Sequence, residues 1–160
     1  MPFMDPYAMP KHHLQAQVSL KLFLKNAAGH ILVGVMPEDA CFPGFYDMPG
    51  GRMEIGEFNE PIQKIIEREV REELGTEIRY RLYPVPVAFG RHCAVGKDGK
   101  EWCVMQIYFE ADLIDGEPTL SSEHVELKWV DVSTLPLEEH FASAWLEAVR
   151  MYMGRTIKFR

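Results

Sequence analysis

Residues 50–75 read GGRMEIGEFNEPIQKIIEREVREELG, and this stretch restricts the fold more than any other. Ile62, Ile66, Val70 and Leu74 recur every four residues, the spacing of one helical stripe. Asn59 offers an N-cap, Pro61 suits the first turn and Gly75 offers a stop, so the pattern predicts a helix ending at Leu74. Such a stripe has to dock on a sheet or another helix. Glu69, Glu72 and Glu73 stand at i, i+3 and i+4, sharing one face along the edge of that stripe. Like charges this close weaken a bare helix. A divalent cation removes the penalty, because hard carboxylate oxygens are the ligands that Mg²⁺ and Mn²⁺ prefer. A solvated acidic stripe is the ordinary meaning of a charge run. Here Pro49-Gly50-Gly51 lies just upstream, where backbone can approach a ligand closely. The combination points to metal-assisted chemistry on phosphate.

The segments on either side read mainly as strands. Gln17–Lys25 alternates around Val18, Leu20, Leu22 and Leu24, a turn follows at 26–29, and Ile31–Met36 pairs back. Glu77–Phe89 is strand-like but interrupted by Pro84 and Pro86, which implies an edge or a bulge. Gly96-Lys97-Asp98-Gly99 is a hairpin turn before a long strand, Trp102–Leu113, and a further strand is expected at Glu126–Val132. From Glu138 to Met153, Phe141, Trp145, Val149 and Tyr152 mark one amphipathic terminal helix. Mixed strands around a central helix, with a helix at the end, make an α/β or α+β sandwich.

Residues 14–160 are long enough for one domain with a proper core and short for two. The preceding 1–13, with Pro2, Pro6 and Pro10 and no basic-then-apolar plan, read as a flexible arm. A net charge of −7 argues against a general nucleic-acid or anionic-membrane surface, which needs clustered Lys and Arg. It leaves room for a small phosphorylated substrate, since a bound metal inverts the local field. Apolar runs fall short of the roughly 20 residues that cross a bilayer. Cys41, Cys93 and Cys103 are odd in number and lack a Cys-x-x-Cys pair, so they are expected as reduced, buried small hydrophobes of a cytoplasmic protein.

The 50–75 segment resembles the Nudix box, whose family pattern is Gly-x5-Glu-x7-Arg-Glu-U-x-Glu-Glu-x-Gly-U, with U apolar. Gly51 and Glu57 fit the first spacing, and Arg68, Glu69, Val70, Glu72, Glu73 and Gly75 fit the second half. Ten residues separate Glu57 from Arg68 where the family has three fewer, and Thr76 stands where an apolar residue is usual. Counting back from Arg68 reaches Glu60, so Glu57 and Glu60 both compete for the loop position, with Glu57 favoured by the run GRMEIGE. The resemblance implies a Nudix-like α/β/α sandwich with a central mixed sheet. It also implies Mg²⁺ (or Mn²⁺) held by Glu69, Glu72, Glu73 and the Gly50 carbonyl, with Glu69 also a candidate base. Arg68 would pair with Glu57 to fasten loop to helix, the alternative being a phosphate clamp, and Gly51 and Gly75 would be backbone positions.

A further acidic residue of the family often lies on a distal loop. Glu123 is the candidate for that ligand or base, with Glu126 and His124 as alternatives. Arg52, Phe45 and Tyr46 flank the glycine turn as candidate substrate contacts, alongside Phe42, Arg91 and His92. The expected function is hydrolysis of a pyrophosphate bond in a nucleoside diphosphate linked to another moiety, on a small nucleotide-type substrate. A homodimer is compatible with it. A non-catalytic nucleotide-binding module is the competing reading, and RNA-end processing is disfavoured by the acidic balance.

Overall fold

The computed structural model describes residues 14–154, and the arm expected over 1–13 lies outside them. Seven strands form one sheet: β1 (Ala16–Lys25), β2 (Ile31–Val35), β3 (Tyr46–Asp47), β4 (Gly50–Arg52), β5 (Arg79–Val95), β6 (Glu101–Asp115) and β7 (Glu126–Val130). A 3-10 turn at Glu57–Asn59 leads into α1 (Ile62–Leu74), and α2 (Leu137–His140) and α3 (Ser143–Gly154) follow β7. β1 and β6 run parallel, from Ala16 beside Cys103 to Lys25 beside Asp112, while the remaining pairings are antiparallel. The sheet is therefore mixed.

Strand β1 organises the layers. Alternation sends Leu20, Leu22 and Leu24 to one face and Ser19, Lys21 and Phe23 to the other. The leucine face packs against Ile65, Ile66, Val70 and Leu74 of α1. Phe23 belongs to the opposite cluster with Ala144, Trp145, Ala148 and Val149 of α3. Helices on both faces of a mixed sheet make the α/β/α sandwich. Each fully buried leucine or isoleucine contributes about 1.5–3 kcal/mol before conformational entropy is set against it. Cutting Leu74 to Ala would cost about 2–5 kcal/mol of that layer.

One pairing places the site. β4 lies antiparallel on the first half of β1, with Ser19 opposite Arg52, Leu20 opposite Gly51 and Lys21 opposite Gly50. The glycine turn is thus fixed to the central strand before α1 begins.

Four local expectations change. Asn59 ends the 3-10 turn, and Pro61 is the residue at the N-cap of α1, without a side-chain cap. β5 continues through to Val95 as an edge strand, and its register against β6 shifts between Tyr83 and Ala88, where Pro84 and Pro86 withhold their N–H groups. The terminal helix is two helices. Phe141 is extended and buried, and Ser143 has a φ of 47°. The apolar spacing runs straight through this break because Phe141 still faces the core, edge-on to Tyr46, and periodicity counts side chains rather than backbone.

The cysteines are the fourth correction. Cys93 and Cys103 form a disulfide, and Cys41 is free and exposed. The two bonded residues sit directly opposite on β5 and β6, with Cα atoms 4.1 Å apart, as in the close pairs of an antiparallel ladder. A spacing rule that looks for Cys-x-x-Cys misses a pair joined by strand register. Cysteine usage accordingly no longer speaks for a reducing compartment.

Candidate active site

The turn at Gly50-Gly51 is held through both the N–H and the carbonyl of Gly50. Gly50 has a φ of +122°, and a side chain there would run into the Leu20 carbonyl oxygen. Its N–H donates to Glu73 Oε2 at 2.8 Å, and its carbonyl accepts from Lys21 Nζ at 2.6 Å. At Gly51 a Cβ would lie 2.5 Å from Glu69 Oε2. Only glycines let this backbone come down onto the α1 carboxylates.

Glu69 and Glu73 are one helical turn apart and point into the structure, 6% and 2% exposed. Glu72, at the intervening position, is exposed. The three glutamates therefore do not share one environment, and two of them sit on the buried side among the apolar stripe. Burial pushes the Glu73 carboxyl up to about 8; Asp47 adds to the rise, while the Lys21 ammonium and the Gly50 N–H oppose it. Burial raises Glu69 as well, with Arg68 opposing.

Arg68 is the clasp of the loop. Its Nε and Nη2 donate to the two oxygens of Glu57 at 2.6 and 2.9 Å. Its Nη1 lies 2.9 Å from Glu69 and 3.1 Å from Glu72. Glu60 instead pairs with Lys64 on the helix surface at 2.8 Å. The hydrogen bonds from Arg68 hold Glu57 below the usual carboxylate range and raise the guanidinium in return. The ten residues between Glu57 and Arg68 include the rest of the 3-10 turn and Pro61, and the clasp closes across them.

Beneath the turn lies a network that no motif signalled. Lys21 Nζ, on a side chain only 7% exposed, also donates to Asp47 Oδ1 at 2.9 Å and to the Met48 carbonyl at 3.1 Å. Asp47 meets His124 Nε2 at 3.2 Å and accepts from Trp145 Nε1. Burial alone would depress Lys21 and raise Asp47; their attraction outweighs it, leaving Lys21 raised and Asp47 lowered. The signal available in the sequence was a single lysine inside the apolar run Val18–Leu24, in a strand whose neighbours on both sides are buried.

Above the carboxylates opens a cleft of about 260 Å³. Its lining includes Glu73, Gly50, Gly51, Arg52 and Glu123 together with His92, Trp102, Gln106 and Trp145. The Arg52 guanidinium lies over the Trp102 ring, 5.4 Å from its centroid. Glu123 is exposed and adds to the rise of the Glu73 carboxyl. Glu126 lies at the start of β7 beside Lys128, and His124 is buried against Asp47 with its ring over Gly34. Tyr46 belongs to the core, stacked on His140. Phe45 lies edge-on to Phe42, which in turn packs edge-on to His92 and Trp145. Arg91 is engaged by Glu147. Trp102, Gln106 and Trp145 are not among the site residues expected from the sequence, because strand register and α3 packing bring them to the cleft.

Comparison with known proteins agrees with this fold. The family model described as the NUDIX domain matches residues 16–149. A nucleoside triphosphatase, NudI, from Enterobacter sp. (strain 638) is 28% identical over 123 residues, covering 72% of this chain and 84% of that protein. The crystal structure of a MutT protein from Methanosarcina mazei Go1 superposes with a TM-score of 0.69 at 21% identity, covering 91% of this chain and 100% of the other. An ADP-ribose pyrophosphatase from Streptococcus suis 89-1591 superposes at 0.59 with 15% identity, covering 91% and 96%. At such identities the two structures speak for the fold alone.

Proposed function

The chain belongs to the Nudix family, hydrolases of phosphorus-containing anhydrides, and from that premise we propose that it cleaves a pyrophosphate bond in a nucleoside diphosphate linked to another moiety. Nucleoside triphosphates, in which that moiety is a phosphate, are the substrates to try first. The similarity to the Enterobacter triphosphatase favours them.

The observation that carries this reading is the convergence of Glu69 and Glu73 on a glycine turn that no Cβ could occupy. Phosphoanhydrides resist water because their negative oxygens repel it, so a catalyst must neutralise charge and take a proton. The carboxylates of Glu69, Glu72 and Glu73 are hard oxygen donors and fit Mg²⁺ or Mn²⁺. Such an ion, once bound, supplies charge neutralisation and a more acidic water. Arg68 holds Glu57, Glu69 and Glu72 in fixed relation, which keeps the donors preorganised. Glu123, exposed and lining the cleft, is our candidate for the proton acceptor, and Glu69 is the alternative. Arg52 offers a phosphate contact while lying against Trp102, whose ring offers a stacking surface for a base.

Release of phosphate and pyrophosphate from a panel of nucleoside triphosphates, ADP-ribose and nucleotide sugars, with Mg²⁺ or Mn²⁺, tests this. Glu73→Gln is expected to lower turnover by at least about a hundredfold with the circular-dichroism spectrum unchanged. Full activity in that variant would refute the site.

A further inference from the structure

We propose that the Lys21 ammonium is a permanent cation of this site, occupying the Gly50 carbonyl in place of a divalent ion, so that the metal centre of this chain is built from carboxylates alone. The inference rests on the metal-dependent reading of the α1 glutamates given above, and it departs from the expectation that Gly50 donates its carbonyl to a metal.

An ammonium has three protons and no acceptor. Lys21 spends them on Asp47, the Met48 carbonyl and the Gly50 carbonyl, and the last contact is the shortest at 2.6 Å. Each partner is fixed independently. Asp47 is held by His124 and Trp145 as well. Gly50 is pinned through its N–H to Glu73 and by β4 pairing to β1, with Lys21 its direct Cα partner. The lysine therefore cannot leave the carbonyl without abandoning a buried carboxylate, and the carbonyl cannot swing away without breaking the strand pair. A divalent ion on that oxygen would meet a fixed positive charge across a single atom, in surroundings where screening is weak. The same ammonium already acts electrostatically on Glu73 and Glu69, which is part of what a second metal ion would do. Lys21 is thus a positioning residue that sets how many ions the site takes.

Metal count is a readout that a merely structural lysine would not move. Crystals of the wild-type protein grown with Mn²⁺ should show anomalous density at the α1 carboxylates, with none bonded to the Gly50 oxygen and the Lys21 contact intact. In solution, Mn²⁺ titration followed by electron paramagnetic resonance should give one more bound ion per chain in the Lys21→Met/Asp47→Asn double variant, which removes both buried charges and keeps net charge constant. Manganese on the carboxylates and on the Gly50 oxygen together would overturn the proposal alone. Equal ion counts in the wild type and the double variant would do the same. Absence of any manganese at the carboxylates would overturn the metal-site reading and this inference with it. If the double variant fails to fold, the wild-type anomalous map still decides.

Discussion

Two cation–carboxylate pairs brace the glycine turn, and they are built on opposite principles. Arg68 and Glu57 meet above it with 24% and 17% of their side chains exposed. Lys21 and Asp47 meet below it at 7% and 14%. The upper pair is a two-pronged guanidinium clasp at the edge of solvent, where water can replace either partner at small cost. The lower pair is cut off from solvent, so losing one partner leaves the other charge buried without its counter-charge. The outer pair therefore aligns the loop from the solvent side, and the inner pair holds the turn from the core side.

The sharpest way to break the comparison is Lys21→Met alone. It should lower unfolding free energy by about 3–5 kcal/mol in urea titration at pH 7, because the Asp47 carboxylate is left buried. A loss under about 1 kcal/mol would mean the two pairs do not differ in kind.

Acidity gives the next contrast, and the two regions should respond with opposite sign. Folded Glu73 keeps its proton up to about 8, whereas its ordinary value is 4.5. Between those values the folded state binds more protons than the unfolded one, so this group's contribution to stability falls as pH rises from 4.5 to about 8. Glu57 is lowered by Arg68, so its contribution is present above the unfolded value near 4.5 and disappears as pH falls through the folded one. Urea midpoints in EDTA, measured from pH 3 to 9 on wild type, Glu73→Gln and Glu57→Gln, should separate the two slopes. Mn²⁺ binding at pH 7 should also release about one proton from the Glu73 region; buffers of different ionisation enthalpy in calorimetry would reveal its absence.

Glu57→Gln should cost about 1 kcal/mol or less in stability yet lower kcat about tenfold or more, since Arg68 also orders Glu69 and Glu72. Equal losses in stability and rate would make the clasp a folding element instead. Smallest of all, Glu60→Gln removes only a surface pair with Lys64, worth about 0.3–0.5 kcal/mol, and should leave the rate unchanged. A rate loss matching that of Glu57→Gln would reassign the loop position to Glu60.

What could be read from the sequence follows from the range of the interactions. Helix α1 was legible because its stripe, its glutamates and its glycine stop are local and repeat every turn. The strands were legible from alternation, and the proline interruption in β5 marked the register shift correctly. Lys21, Asp47 and Trp145 were illegible as a group, being 26 and 98 positions apart pairwise from Asp47, and each looks ordinary by itself. The Cys93–Cys103 bond needed the β5–β6 register, which only the folded hairpin supplies. Glu72 illustrates a finer limit: helical spacing gave its face, but which edge of that face turns toward the sheet depended on how α1 docks.

Gly90 lies on β5, outside the glycine turn and the glutamates, yet a side chain there would collide with the backbone of Ala144 at the start of α3. Trp145, the next residue, both lines the cleft and donates to Asp47. Adding one methyl group at position 90 would lever the roof of the cleft away from its floor. In a mutational screen scored by turnover, such a variant would pass for the loss of a catalytic group while every chemically active side chain remained in place.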